Sequence, residues 1–159
     1  MNTLSIDHQR LRRPNWTEQE ANNAALVTDF VRLLMNEHDF AAVRARYGHG
    51  AYVQHNHGIA DGIEGVIETV SDLVKRFPDY AYDVKHIVVD GDMVVFHSHA
   101  TLRSSHRGNA RKGFNIMDRW RIQDGAIVEH WDAIQPIDAF GRMYALLVGG
   151  TVRNDNGTY

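Results

Sequence analysis

The chain has 159 residues, 43% of them hydrophobic and 23% charged, a composition typical of one globular domain with a proper core. The net charge of -3 gives no reason to expect a nucleic-acid partner, and the lack of cysteine excludes disulfides, thiolate nucleophiles and cysteine-bound metals. The sequence contains neither an apolar signal core nor a run of membrane-spanning length. We therefore expect a cytoplasmic protein without membrane contact.

The first half of the chain is predicted to be mainly helical. Thr17 and Glu20 have the spacing of a capping box, and apolar residues at helical spacing follow them. Asp39 is predicted to cap a second, shorter helix, and Asp61 resembles the start of a third. A short strand is expected over residues 51–56, between the second and third helices.

After Pro78 the apolar period changes from helical to two, which indicates strands. The four predicted strands cover residues 80–89, 93–104, 113–122 and 127–135. Helices followed by an antiparallel meander indicate an α+β fold, in which a cone-shaped curved sheet packs on the N-terminal helices and encloses a pocket. The predicted organisation is a flexible N-terminal arm (1–16), a single domain (17–148) and a C-terminal tail (149–159).

One carboxylate lies on the apolar face of a predicted strand. Side chains alternate across a strand, so Asp118 shares its face with Phe114, Ile116, Trp120 and Ile122. Burying an unpaired carboxylate is costly, so this aspartate needs a partner or a function. The alternative is a purely structural polar pair beneath a loop.

The register of the last hairpin decides what faces this carboxylate. Asp124-Gly125 marks the turn, and loops of two or three residues give different registers. A three-residue loop ending in a glycine bulge pairs Arg121 with Glu129 and Arg119 with Trp131. We favour it because opposite charges and a guanidinium against an aromatic ring are stabilising cross-strand contacts.

This register aligns four further pairs: Ile122 with Val128, Trp120 with His130, Asp118 with Asp132, and Ile116 with Ile134. It therefore predicts a cluster of Asp118, Asp132 and His130 on the apolar face, with opposed Cβ atoms roughly 5 Å apart. Such a cluster is a candidate acid–base site.

Histidines mark two other strands. His97 and His99 alternate on one strand, and His55 lies in the short strand between Tyr52 and Asn56. A His-x-His strand suggests zinc or iron, but no compact set of three ligands can be placed on one element. We therefore expect no metal and no other cofactor. The face that His97 and His99 occupy depends on the length of the preceding turn and stays open.

Three segments, YVQHNHGIADGIEG, VVDGDMVVFHSHATL and MDRWRIQDGAIVEHWDAIQPI, resemble the SnoaL-like polyketide cyclase family of the nuclear transport factor 2-like superfamily. The resemblance covers about residues 20–140. It implies an α+β cone with an internal pocket, frequent dimerisation and cofactor-free acid–base chemistry. Members include cyclases, dehydratases, epoxide hydrolases and ketosteroid isomerases.

The resemblance also implies roles for individual residues. Asp118 matches a pocket carboxyl on the penultimate strand, and Asp132 matches the position of a general base in the epoxide hydrolase branch. The Arg-x-Asp pattern of that branch is replaced here by His97-Ser-His99, which argues against epoxide hydrolysis. The predicted catalytic residues are Asp118, Asp132, His99 and His130, and the predicted substrate-binding residues are Tyr52, His55, Asn56, His97 and Trp120.

Together these features predict a cofactor-free acid–base enzyme, a cyclase, dehydratase or isomerase with aldol-type chemistry. Its expected substrate is a small hydrophobic carbonyl compound, and its expected assembly is a homodimer. Because a fold does not determine function, the alternative is a non-catalytic module of the same fold that binds a small molecule or dimerises.

Overall fold

A curved, unclosed sheet of five strands in the order β1-β5-β4-β3-β2 packs against the helices in this computed structural model. The structure describes residues 4–148 and 151–158; residues 1–3, 149–150 and 159, parts of the predicted arm and tail, lie outside it. The helices are α1 (His8–Leu11), α2 (Glu18–Val31), α3 (Phe40–Tyr47), α4 (Gly62–Arg76) and α5 (Ala139–Val148). The strands are β1 (Val53–Gln54), β2 (Ala81–Asp90), β3 (Met93–Thr101), β4 (Phe114–Gln123) and β5 (Ala126–Pro136).

The helix starts follow the local sequence at two of three predicted positions. Thr17 and Glu20 form the predicted capping box, and Asp39 accepts a hydrogen bond from the backbone of α3. Asp61 precedes α4 but its side chain makes no capping hydrogen bond. Instead, its carboxylate accepts from the backbone N–H of Gln54 at 2.8 Å, so it ties α4 to β1.

Both terminal segments contact the domain in their described parts. In the predicted arm, Leu11 packs against the core and Trp16 is buried. Covering these apolar side chains against the domain is favourable. At the other end, Asn154 donates to the backbone oxygens of Asn56 and Ile59, which holds the tail beside the β1–α4 loop.

The two faces of the sheet differ as the alternation predicts. Along β4, the inner face carries five buried side chains: Phe114, Ile116, Asp118, Trp120 and Ile122. This face meets the buried residues of α2 and α4, including Phe30 and Ile67. The α+β cone expected from the sequence is therefore confirmed. In the part of the chain that the structure describes, no helix is both long and apolar enough to cross a membrane.

The predicted register of the β4–β5 hairpin is confirmed from Arg121 back to the start of β4. Arg121 lies opposite Glu129, and the ring of Trp131 lies 4.0 Å below the guanidinium of Arg119. The turn itself differs from the prediction. Asp124 and Gly125 both adopt positive φ in a two-residue turn, and the extra residue is a bulge at Val128.

The bulge changes one predicted pair. Ile122 lies opposite Ile127 instead of Val128, and the register from Arg121 onward is the one expected for the longer loop. A bulge inserts one residue just as a longer loop does, so both produce the same alignment of Asp118 with Asp132.

Candidate functional site

Asp118 is the centre of the polar cluster on the inner face of the sheet. It is only 2% exposed, and its neighbour along the face, Trp120, packs edge-on against Phe30 and Phe96. One carboxylate oxygen, Oδ1, lies 3.2 Å from Nε2 of His130. The other, Oδ2, is buried and has no hydrogen-bond partner. Asp118 is therefore a buried carboxyl with one of its two oxygens unpaired.

His130 is held by contacts on several sides. Its ring stacks on Trp120 at 5.2 Å and on Tyr52 at 6.3 Å. Its second nitrogen, Nδ1, lies 3.0 Å from Oε1 of Gln54, a residue with no exposed surface. The imidazole is therefore fixed in orientation with one nitrogen facing Asp118.

Asp132 joins this cluster from β5, directly opposite Asp118. The side-chain amide of Asn56 lies 2.8 Å from both of its carboxylate oxygens and donates to them. Asp132 is partly exposed, in contrast to Asp118 and His130. Ile134, two residues further on, is 49% exposed. The polar cluster therefore reaches the surface at the end of β5.

Burial raises the pKa of Asp118 above its ordinary value, and the charge of Asp132 raises it further, while the hydrogen bond from His130 opposes the shift. Burial also raises the pKa of Tyr52 well above its usual value. The phenol of Tyr52 therefore stays protonated at neutral pH and is a potential hydrogen-bond donor. The site combines a carboxyl that favours its protonated form with a neutral donor.

The raised pKa predicts how stability depends on pH. Because the folded state holds the Asp118 proton more tightly than the unfolded state, the free energy of unfolding falls as pH rises from the unfolded pKa of about 3.9 through the folded pKa. Asp118→Asn removes this titration. Its stability relative to the natural chain should therefore increase as the pH rises above about 4. Urea denaturation of both proteins across this range measures the difference, and a constant difference would contradict the raised pKa.

Three predicted site residues do not join the cluster. His97 and His99 lie on the outer face of β3, because the inner positions are taken by Phe96, Ser98 and Ala100. Their Nε2 atoms lie 2.6 Å from Oδ1 of Asn115 and 2.7 Å from the backbone oxygen of Lys112, respectively. His97 and His99 therefore do not join the Asp118 cluster, as their predicted roles in substrate binding and catalysis would require.

His55 is also on the outer side. Its ring stacks on Trp131 at 4.6 Å, and Nε2 donates to Glu129 at 2.8 Å. It thus belongs to the contacts that join β1 to β5, and not to a substrate site on the inner face. The structure does bring together the remaining predicted residues: Tyr52, Asn56, Asp118, Trp120, His130 and Asp132.

The sequence interpretation missed three inner-face residues. Gln54 lies between Tyr52 and Asn56 in the period-two pattern, so alternation alone could have placed it beside them. Tyr80 and Tyr82 are buried with their rings 5.8 Å apart. Burial raises the pKa of Tyr82 well above its usual value, and the nearby Asp118 charge adds to the shift. These phenols extend the set of neutral donors.

The same cluster is chemically able to hold a metal ion. One potential ligand atom from each of Asp118, His130 and Asp132 lies within 4.8 Å of the others. Among the residues that the structure describes, no other group of three or more such side chains meets this condition. Carboxylate and imidazole ligands suit several divalent metals. The three ligands come from two strands, so they do not form a compact set on one element.

The fold and this inner-face cluster define an α+β cone protein with a buried carboxyl–imidazole site. Residues 27–130 match the SnoaL-like domain family, so the chain belongs to that family. No curated protein matches the sequence.

Solved structures share the fold at low sequence identity. A candidate polyketide cyclase from Bacillus cereus ATCC 10987 is 17% identical, with 88% of this chain and 89% of that chain covered and a TM-score of 0.64. AclR, a candidate hydroxylase from Streptomyces galilaeus, is 19% identical over 86% and 89% of the chains, with a TM-score of 0.58. A candidate SnoaL-like polyketide cyclase from Jannaschia sp. CCS1 is 18% identical over 91% and 100%, with a TM-score of 0.58. These likenesses establish the fold.

Proposed function

We propose that this protein is a cofactor-free acid–base enzyme acting on a small hydrophobic carbonyl compound, as a cyclase, dehydratase or isomerase with aldol-type chemistry. The observation that carries the proposal is the Asp118 carboxyl: buried, paired with His130 through Oδ1 and unpaired at Oδ2. Proton transfer next to a carbonyl needs a base of raised pKa and a donor to the developing enolate oxygen. Asp118 supplies the first, and the phenol of Tyr52 is suited to the second.

The other groups support this chemistry in different ways. His130 shares a proton with Asp118, and Asp132 disfavours the charged form of Asp118 because both are carboxylates. Asn56 holds Asp132 in place through its amide. Substrate would enter at the partly exposed Asp132 and Ile134, where the cluster meets the surface. Two of the structural relatives are candidate polyketide cyclases, a class that the proposal includes.

Deuterium exchange tests the proposal with simple carbonyl compounds in place of the natural substrate. The protein is incubated in D₂O with a panel of cyclic ketones and β-diketones, and mass spectrometry follows both deuterium uptake and product formation. Uptake above the buffer rate that disappears in Asp118→Asn supports the proposal. Equal uptake with the natural protein and the variant across every compound that binds would contradict it.

A non-catalytic binding module is the second candidate, and one observation favours it. Asp118 is 2% exposed and surrounded by aromatic side chains, so the site is closely packed around the carboxyl. A binding module would take up panel compounds, as measured by calorimetry, without accelerating exchange.

We expect activity to persist without a metal ion. The Asp118–His130 pair already carries the acid–base groups that the proposed chemistry needs. Dialysis against a chelator should leave turnover unchanged, and elemental analysis of the purified protein should find no stoichiometric transition metal. Near-stoichiometric zinc, iron or manganese, with activity lost on chelation and restored by that metal, would overturn the cofactor-free proposal.

We further propose that the protein is a homodimer that buries the outer face of the sheet. Met117, which is 42% exposed, and Ala133 are cross-strand neighbours on this face. Covering an exposed apolar pair is favourable, so sedimentation velocity at micromolar concentration should show a dimer that Met117→Lys weakens. Leu146→Lys, at an exposed apolar position of α5 outside the sheet, is a matched control. A monomer at these concentrations would contradict the proposed dimer.

A further inference from the structure

The orientation of the Gln54 side-chain amide determines which ring nitrogen of His130 carries a hydrogen. Its Oε1 atom lies 2.9 Å from the backbone nitrogen of Asn56 and 3.0 Å from Nδ1 of His130. The backbone N–H of Asn56 is always a donor, so an amide nitrogen at this position would place two donors against each other. The contact therefore fixes the oxygen, not the nitrogen, of Gln54 toward His130.

An amide oxygen only accepts hydrogen bonds, so Nδ1 of His130 must carry a hydrogen. A neutral imidazole protonated on Nδ1 has its lone pair on Nε2. This lone pair faces Oδ1 of Asp118 at 3.2 Å. Two lone pairs at this distance repel each other, so a proton lies between the two atoms, either on Asp118 or on His130. A hydrogen bond at the other ring nitrogen is the usual way in which proteins select a histidine tautomer.

We propose that Gln54 is a positioning residue that keeps a hydrogen on Nδ1 of His130, so that Asp118 and Nε2 of His130 share one proton. The link to turnover rests on the proposed function, but the tautomer assignment does not. Gln54 acts through His130 and touches neither the free oxygen of Asp118 nor Asp132. Because Gln54 has no exposed surface, bulk solvent does not compete for this hydrogen bond.

Nitrogen-15 NMR of the imidazole tests the assignment on the natural full-length chain. Long-range ¹H–¹⁵N correlations distinguish a protonated ring nitrogen from one with a lone pair, and His130→Gln identifies the relevant signals. We expect the neutral ring of His130 to carry its hydrogen on Nδ1. A ring protonated on Nε2 alone, with the lone pair on Nδ1, would overturn the proposal.

Two substitutions form a matched pair. Gln54→Met keeps the length and apolar stem of the side chain but removes the acceptor oxygen, whereas Gln54→Glu keeps an acceptor for both N–H groups. The methionine variant should lose the preference for Nδ1–H, and the glutamate variant should keep it. Unchanged Nδ1 protonation in folded Gln54→Met would show that another group selects the tautomer and would overturn the role of Gln54.

Turnover measurements allow the role of Gln54 and the proposed function to be tested separately. If Asp118 is catalytic, Gln54→Met should lower turnover by roughly 10- to 100-fold and change its pH profile, and Gln54→Glu should restore most of the rate. Full activity in Asp118→Asn, together with the expected NMR result, would refute the proposed function and leave the tautomer assignment standing. If Gln54→Met does not fold, the natural chain and Gln54→Glu still decide the assignment.

Discussion

Replacing Asp118 by asparagine is expected to lower turnover by at least about 100-fold, the usual scale for loss of a general acid or base. Asparagine keeps the size of the side chain and an amide that can donate a hydrogen bond to Nε2 of His130, but it cannot exchange a proton. The fold should remain, because the substitution removes a buried group whose charged form is poorly solvated. Thermal stability should therefore hold or rise.

The decisive measurement pairs melting temperature with turnover on one preparation. Asp83→Asn is a suitable control, because Asp83 lies on β2 in a surface ion pair with Lys85 and away from the cluster. The control should retain full activity. A folded but inactive Asp118→Asn supports the catalytic assignment. A destabilised variant that stays active in its folded fraction would show that Asp118 has a structural role.

The sequence alone was sufficient to place the central pair of carboxylates. Alternation put Asp118 on an apolar face, and the favourable pairs Arg121–Glu129 and Arg119–Trp131 selected the register that brings Asp132 opposite it. The predicted register did not depend on predicting the correct type of turn. A two-residue turn plus a bulge and a three-residue loop shift the register by the same one residue.

The positions of the histidines could not be decided from the turn before them. The turn between β2 and β3 has two residues, since Asp90 lies opposite Met93, but that alone does not set the face. The burial of Val94 and Phe96 does, because it places His97 on the other side. The two tryptophans of the last hairpin follow the same rule: Trp120 faces inward, whereas Trp131 faces outward.

Long-range hydrogen bonds to irregular segments could not be predicted. The C-terminal residues carry no apolar periodicity, yet Asn154 and Asn156 donate to backbone oxygens of β1 and of the loop that follows it. The same loop contains Asn56, whose amide holds Asp132. No local pattern shows which backbone groups a distant asparagine meets, since that depends on the closed fold.

The two tryptophans allow a direct test of which face is the core. Trp120 is 1% exposed and contacts Phe30, Phe96 and His130, so Trp120→Ala should lower the free energy of unfolding by about 3–5 kcal/mol. Trp131 contacts His55 and lies under the guanidinium of Arg119 on the outer face. Its replacement by alanine should cost only about 1–2 kcal/mol, the scale of an aromatic pair and a cation–π contact.

Urea denaturation of the two alanine variants measures both effects, provided that the slope of the transition stays constant. Both variants remove an indole from the same hairpin, so differences in strand propensity largely cancel and burial dominates the comparison. Equal losses for the two variants, or a larger loss for Trp131→Ala, would contradict the assignment of the inner face. Because Asp118 lies on the same face as Trp120, that result would also remove the burial argument for its raised pKa.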